Sequence, residues 1–120
     1  ALEWTRTTGA EAMRRVLDRG VEVDAVFGLN DVLALGAMRV LFERGLRVPD
    51  DVAVAGFDDV EDGRFARPSL TTVYPGRAEI ARTAVDLLLD RLSETPAHPA
   101  GHEVVVPHEL VVRESTGQGR

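Results

Sequence analysis

Asn30 and Asp58 each follow a short apolar run, "DAVFGL" (24–29) and "VAVAGF" (52–57), and a second aspartate, Asp59, follows the first. Runs this short and this continuously apolar read as strands buried on both faces of a parallel sheet. In such a sheet, ligands bind beyond the carboxyl ends of the strands, where successive loops converge. Adjacent parallel strands would therefore bring Asn30 and Asp58 to one edge. Trp4, just before the first helix, would occupy the equivalent loop of a strand further upstream. An indole, an amide and a carboxylate at one edge suit a sugar. The apolar C–H face of the ring stacks on the indole, Asp accepts from two hydroxyls, and Asn donates and accepts together. Plainer roles stay open for each residue. Asn30 can cap a helix, Asp58 and Asp59 can fix an Asx turn (the role expected for Asp59), and Trp4 can pack an interface.

Other chemistries fare worse. Asp58, Asp59, Glu61 and Asp62 lack the spacing and terminal bidentate glutamate of a calcium loop, so no metal is expected there. His98, His102 and His108 lie in or near a late loop, away from the strand ends, and are expected to be solvated. The chain has no cysteine, which excludes disulfides, thiolate nucleophiles and cysteine-bound zinc. All 14 cations are arginine, so Schiff-base chemistry and a P-loop lysine are excluded as well. No G-x-S-x-G, H-E-x-x-H or G-x-G-x-x-G motif occurs. We expect no catalytic residue and no cofactor. A net charge of −6 argues against this segment gripping nucleic acid by itself. No apolar run reaches membrane-span length and the start lacks a signal-peptide pattern, so a cytoplasmic protein without a membrane partner is expected.

The elements that must position these groups alternate in period. In "TGAEAMRRVLDRG", Thr8 and Glu11 have capping-box spacing, Met13, Val16 and Leu17 form one stripe, and Gly20 supplies a stop. After Asn30, residues Ala34, Ala37, Met38 and Leu41 recur at helical spacing, and Gly45 closes that helix. An irregular polar loop, "DDVEDGRFARPS" (58–69), precedes a short strand, "LTTVY" (70–74). A long helix is expected near 77–92, with Ala81, Ala84, Val85, Leu88 and Leu92 on one face. Two short β-like runs, "EVVVP" and "ELVVR", come before a polar tail, "ESTGQGR", expected to be disordered. Helix and strand in alternation with short connections predict an α/β fold with a parallel sheet and flanking helices. With few strands for this architecture, the chain reads as the C-terminal part of a longer protein.

The stretch "AVFGLNDVLALGAMRVLFERGLRVPDDVAVAGFDDVEDGRFARPSLTTV", with "HELVVREST" later, closely resembles the C-terminal part of LacI/GalR-family transcription regulators. The similarity runs from about Glu3 to Thr116, and the motifs "ND…ALGA", "GFDD", "P-x-LTTV" and "LVVREST" are highly specific in combination. The resemblance implies part of a two-lobed, periplasmic-binding-protein-like domain that senses a small effector, usually a sugar. Operator DNA would be bound only by a helix-turn-helix outside this chain. It places residues 1–73 in the C-terminal lobe, 74–108 in the N-terminal lobe, 109–113 as a return strand, and 114–120 as the tail. The chain crossings form a hinge whose closure on ligand shifts the headpieces. The family's effector contacts fall on Trp4, Asn30 and Asp58, and tryptophan at the stacking position favours a sugar over a purine. The family's glutamine after "LTTV" is replaced by Pro75, so that contact is lost or passes to Tyr74 or Arg77. A homodimer is implied, with Leu35, Met38, Arg39 and Phe65 facing the partner, although Leu35 and Met38 are equally compatible with core packing. A periplasmic sugar-binding protein of a transporter shares the fold and is the alternative. An α/β enzyme on a nucleotide or sugar is disfavoured by the missing lysine and the absence of any placed histidine or serine.

Overall fold

Thr5, not Thr8, opens the first helix, α1 (Arg6–Asp18), in the computed structural model. Its hydroxyl accepts the Thr8 amide at 3.1 Å, and its own amide donates to the Thr8 hydroxyl at 3.1 Å. The expected box at Thr8 and Glu11 is thus corrected by one turn: a threonine at the third helical position reaches back as well as a glutamate does. Residues 3–93 and 101–117 are described. His98 lies outside them, while His102 and His108 are exposed as expected.

The chain divides into two units, Ala1–Tyr74 with Leu110–Arg120, and Pro75–Glu109. In the first, α1 is followed by β1 (Ala25–Phe27), α2 (Asp31–Glu43), β2 (Ala53–Phe57), a one-turn α3 (Glu61–Phe65) and β3 (Thr71–Tyr74). β1 pairs with β2, and β2 with β3, both in parallel, with Phe27 opposite Ala55 and Phe57 opposite Val73. β4 (Glu109–Val111) completes the order β1-β2-β3-β4.

The predicted stripe of α2 is buried: Ala34, Ala37, Met38 and Leu41 join Met13, Val40, Val54 and Leu70 in one core. The end of α2 is closed by two reversed hydrogen bonds, from Gly45 N–H to the Phe42 carbonyl at 3.0 Å and from Leu46 N–H to the Leu41 carbonyl at 2.9 Å. Gly45 takes the left-handed conformation this closure requires, at φ +75°. The helices α1 and α2 approach backbone to backbone, since a Cβ on Gly9 would run into Leu33 and one on Gly36 into the Arg6 carbonyl.

Several expectations are corrected. "DAVFGL" is not buried on both faces, for Phe27 is 57% and Leu29 is 66% exposed. β1 is the outer strand, paired only with β2 among the described residues. The loop 58–69 contains α3. The tail is not wholly disordered: Glu114–Thr116 form a 3-10 helix with Ser115 fully buried. The Ser115 hydroxyl donates to the Val54 carbonyl at 2.6 Å and accepts the Thr71 amide at 2.8 Å, giving this polar segment partners inside the sheet. Residues 118–120 lie outside the described residues.

In the second unit, α4 (Arg77–Leu92) matches the predicted span but buries no residue. Its apolar face, Val85, Leu88 and Leu92 included, is exposed. Residues 103–106 are not a strand, since "EVVVP" has no ladder partner among the described residues.

Truncating the fully buried Leu41 to alanine should lower unfolding free energy by about 2–5 kcal/mol. Arg39→Ala, on the solvent side of the same helix, should leave the urea midpoint nearly unchanged. Equal effects of the two would contradict the assigned core face.

Candidate functional site

The carboxyl ends of β1 and β2 bring two polar groups together. Gly28 N–H donates to the Ala55 carbonyl at 2.8 Å, so the ladder continues to the residue before Leu29 and Asn30. Asn30 then turns into α2 as its N-cap, with Oδ1 accepting the Leu33 amide at 2.8 Å. Capping uses the side-chain oxygen and leaves the amide NH2 available to donate to a ligand, so the two roles are compatible. One strand over, Asp58 follows β2, half-buried, with its N–H donating to the Val73 carbonyl at 3.0 Å.

The turn that carries Asp58 is unusual. Asp58 has φ +107° and Asp59 has φ +49°, both positive without being glycine. Such conformations cost on the order of 1–3 kcal/mol each and persist only where the surroundings over-determine them. Asp31, on the first turn of α2 and fully buried, is a large part of those surroundings. Its Oδ2 accepts the Val60 amide at 2.8 Å. Its Oδ1 accepts the Thr72 hydroxyl at 2.6 Å, and that hydroxyl in turn accepts the Asp59 amide at 3.2 Å. The approach needs Gly56, whose missing Cβ would otherwise collide with Asp31 Oδ1.

Burial pushes the Asp31 carboxyl above its ordinary range. The Thr72 and Val60 hydrogen bonds oppose that shift, and the charges of Asp58 and Asp59 reinforce it.

Asp59 was expected to shape the turn through an Asx contact. Its side chain meets two arginines, Arg113 Nη2 at 2.5 Å and Arg64 Nη2 at 2.5 Å. Arg113 also donates through Nη1 to the Leu70 carbonyl at 2.9 Å. Burial acts to raise the Asp59 carboxyl, but the hydrogen bonds and charges of Arg64 and Arg113 outweigh it and hold the group below the usual range.

The two carboxylates were not equally visible in the sequence. Asp58 was found from its place after a strand. Asp31 was missed, although it falls in register with Ala34, Met38 and Leu41 on the buried stripe of α2. A carboxylate on an apolar stripe was the available signal. Arg113 stood out only as part of the "LVVREST" motif, with no role attached to it.

Trp4 stands two residues before α1's first residue, Arg6, and is 55% exposed. Arg6 pairs with Asp62 of α3, so the start of α1 lies beside the segment that follows Asp58. Tyr74 ends β3, and Arg77 stands on the first turn of α4 in the second unit. An apolar groove of about 360 Å³ between α1 and β1, lined by Met13, Val16, Val26, Phe27 and Leu29, has no polar side chain for a hydroxylated ligand. Among the described residues no cluster of three or more His, Asp or Glu could hold a metal ion. No helix among them is long and apolar enough to cross a membrane.

Comparison with known proteins decides the family. The model of the periplasmic binding protein-like domain matches residues 2–116. The regulator CelR of Thermobifida fusca, a helix-turn-helix-type transcriptional regulator, is 41% identical over 113 residues, covering 94% of this chain and 33% of its own length. A LacI-family regulator structure from Sanguibacter keddieii is 58% identical, with a TM-score of 0.87 over 96% of this chain and 43% of that one. The chain belongs to the periplasmic-binding-protein-like effector domains of LacI/GalR regulators. A LacI-family regulator from Arthrobacter, solved in complex with lactose, is 36% identical with a TM-score of 0.81, over 93% of this chain and 41% of that one. The chain spans about a third of the length of the curated relatives it matches.

The dimer surface expected for this LacI-type domain needs one correction. Met38 is only 3% exposed and sits in the core, so its side chain cannot face a partner. Leu35 packs partly against the same core, while Arg39 is exposed and pairs with Glu43, and Phe65 is 78% exposed.

The lowered Asp59 carboxyl makes a pH prediction. Its ion pairs stabilise the fold fully above the unfolded value of 3.8 and are lost as pH falls through the lower folded value. Asp59→Asn should cost roughly 1.5–3 kcal/mol at neutral pH, and its unfolding free energy should fall less steeply below pH 3.8 than that of the native protein. An equally steep acid limb in both would contradict the assignment.

Proposed function

We propose that this LacI-type domain senses a small sugar or polyol, bound by Trp4, Asn30 and Asp58, for a transcription regulator. Operator binding would belong to a helix-turn-helix outside this chain. The observation that carries the reading is the placement of Asn30 and Asp58 at the carboxyl ends of two hydrogen-bonded parallel strands. An amide that keeps its NH2 and a half-buried carboxylate there can meet vicinal hydroxyls, which offer donors and acceptors in the same spacing. Trp4 supplies the stacking face. The lactose-bound Arthrobacter relative supports a sugar as the ligand class. Tyr74 and Arg77 are the further candidates where Pro75 removes the family's glutamine.

Residues 1–73 and 109–113 belong in this reading to the C-terminal lobe, and 74–108 to the N-terminal lobe. Effector binding shifts a two-state equilibrium that the DNA-binding headpieces read, by no more than its differential affinity for the two states. Leu35, Arg39 and Phe65 are the surface proposed to face a second copy. The protein is not an enzyme in this reading, needs no cofactor and works in the cytoplasm. The helix-turn-helix type of the CelR relative favours a regulator over a transporter's binding protein.

Titration calorimetry of the intact protein against monosaccharides, lactose, cellobiose and purine bases tests this. At least one sugar should bind, and Asp58→Ala and Asn30→Ala should each weaken it by roughly 1.5–3 kcal/mol, about tenfold to a hundredfold. Binding of a purine alone, or sugar binding indifferent to both substitutions, would refute the reading.

A further inference from the structure

We infer that Asp31 is a positioning residue for effector binding: its buried carboxylate holds the Asp58 turn in its binding geometry. The inference rests on the reading of Asp58 as a ligand contact and extends it to a side chain that touches no ligand. Three successive amides of the turn are fixed. The Asp58 N–H meets the Val73 carbonyl at 3.0 Å, the Asp59 N–H meets the Thr72 hydroxyl at 3.2 Å, and the Val60 N–H meets Asp31 Oδ2 at 2.8 Å. The Thr72 hydroxyl spends its single proton on Asp31 Oδ1 at 2.6 Å, and so can offer only a lone pair to the Asp59 amide. Two of the three anchors therefore depend on one carboxylate.

Geometry gives that carboxylate this task. Asp31 is 0% exposed, and Gly56 of β2 leaves the space its Oδ1 occupies. The anchored turn holds two consecutive non-glycine residues at positive φ, Asp58 and Asp59, a state that needs external support. Asp31 directly follows Asn30, the other proposed ligand contact, at the start of α2. One rigid helix terminus thus carries one contact and fixes the backbone of the other, which sets their separation.

An asparagine at 31 could keep both anchors, its oxygen on the Val60 N–H and its NH2 on a rotated Thr72 hydroxyl, so the informative change is to alanine, which removes both acceptors. The test uses Asp31→Ala and the milder Thr72→Val, with Thr72→Ser as the conservative control, all in the intact protein. Amide hydrogen exchange without sugar is the first readout. In Thr72→Val and Asp31→Ala, the Asp59 and Val60 amides should exchange roughly tenfold faster or more, while Val40 and Leu41 in α2 keep native protection. Thr72→Ser should restore native exchange at the turn. The second readout is lactose affinity, which should fall roughly tenfold in the same two variants and return in Thr72→Ser. Asp58→Ala should weaken lactose binding about tenfold to a hundredfold and leave Val60 protection intact, separating the contact from its support. Unchanged exchange at Asp59 and Val60 in folded Thr72→Val overturns the inference, as does native lactose affinity in a variant whose turn has loosened. If the native protein binds no lactose, the choice of that sugar fails, and the exchange measurement alone decides the role of Asp31.

Discussion

A buried carboxylate must be matched by donors or it costs more than the fold can offset. Asp31 meets that condition with a hydroxyl from β3 and an amide from the turn after β2, while standing on the first turn of α2. Three separate elements are thereby tied at one point, at the edge where ligands bind in parallel sheets. Gly56 gives the carboxylate room, and Thr72 carries its reach on to the Asp59 amide. A carboxylate at a helix N-terminus also faces the positive end of the helix dipole, which favours its charge where burial disfavours it. The net effect still raises its affinity for a proton, so ionised Asp31 is held at a cost to stability.

A second set of polar contacts ties the last segment to the Asp59 turn and to the starts of β2 and β3. Arg113 joins the Asp59 carboxylate to the Leu70 carbonyl, and Ser115 bridges the Val54 carbonyl and the Thr71 amide. Glu114 accepts the Ser69 amide at 2.7 Å. Consecutive residues after β4 thus contact the segments on either side of β2 and β3. Arg113 thereby stands in direct contact with the aspartate beside the proposed effector contact. Asp58 is half-buried at the edge, and the Asp59 carboxylate pairs with two arginines.

Much of this was legible in the residues. Periodicity gave α2 its buried stripe and α4 its span, and the short apolar runs marked β1 and β2. The strand-end rule points to Asn30 and Asp58 independently of the resemblance. What stayed hidden was non-local. The exposure of Phe27 and Leu29 goes with β1 having β2 as its one ladder partner among the described residues, which the run itself does not reveal. The order of the tail depends on Ser115 meeting Val54, 61 residues away in sequence. Asp59's partners sit at Arg64 and Arg113, and only the nearer lies within reach of a local motif. Met38 shows the converse: a position assigned to the dimer surface by resemblance is claimed by the core, as its place on the apolar stripe had allowed.

The account's central claim is that Asn30 and Asp58, presented by neighbouring strands, grip one effector together. A crystal structure of the intact protein with a sugar selected by calorimetry tests it most directly. The account predicts sugar hydroxyls within hydrogen-bond distance of both the Asp58 carboxylate and the Asn30 NH2, with the Asp31, Thr72 and Val60 contacts unchanged. A sugar seated in the apolar groove between α1 and β1, or elsewhere without touching either residue, would contradict it.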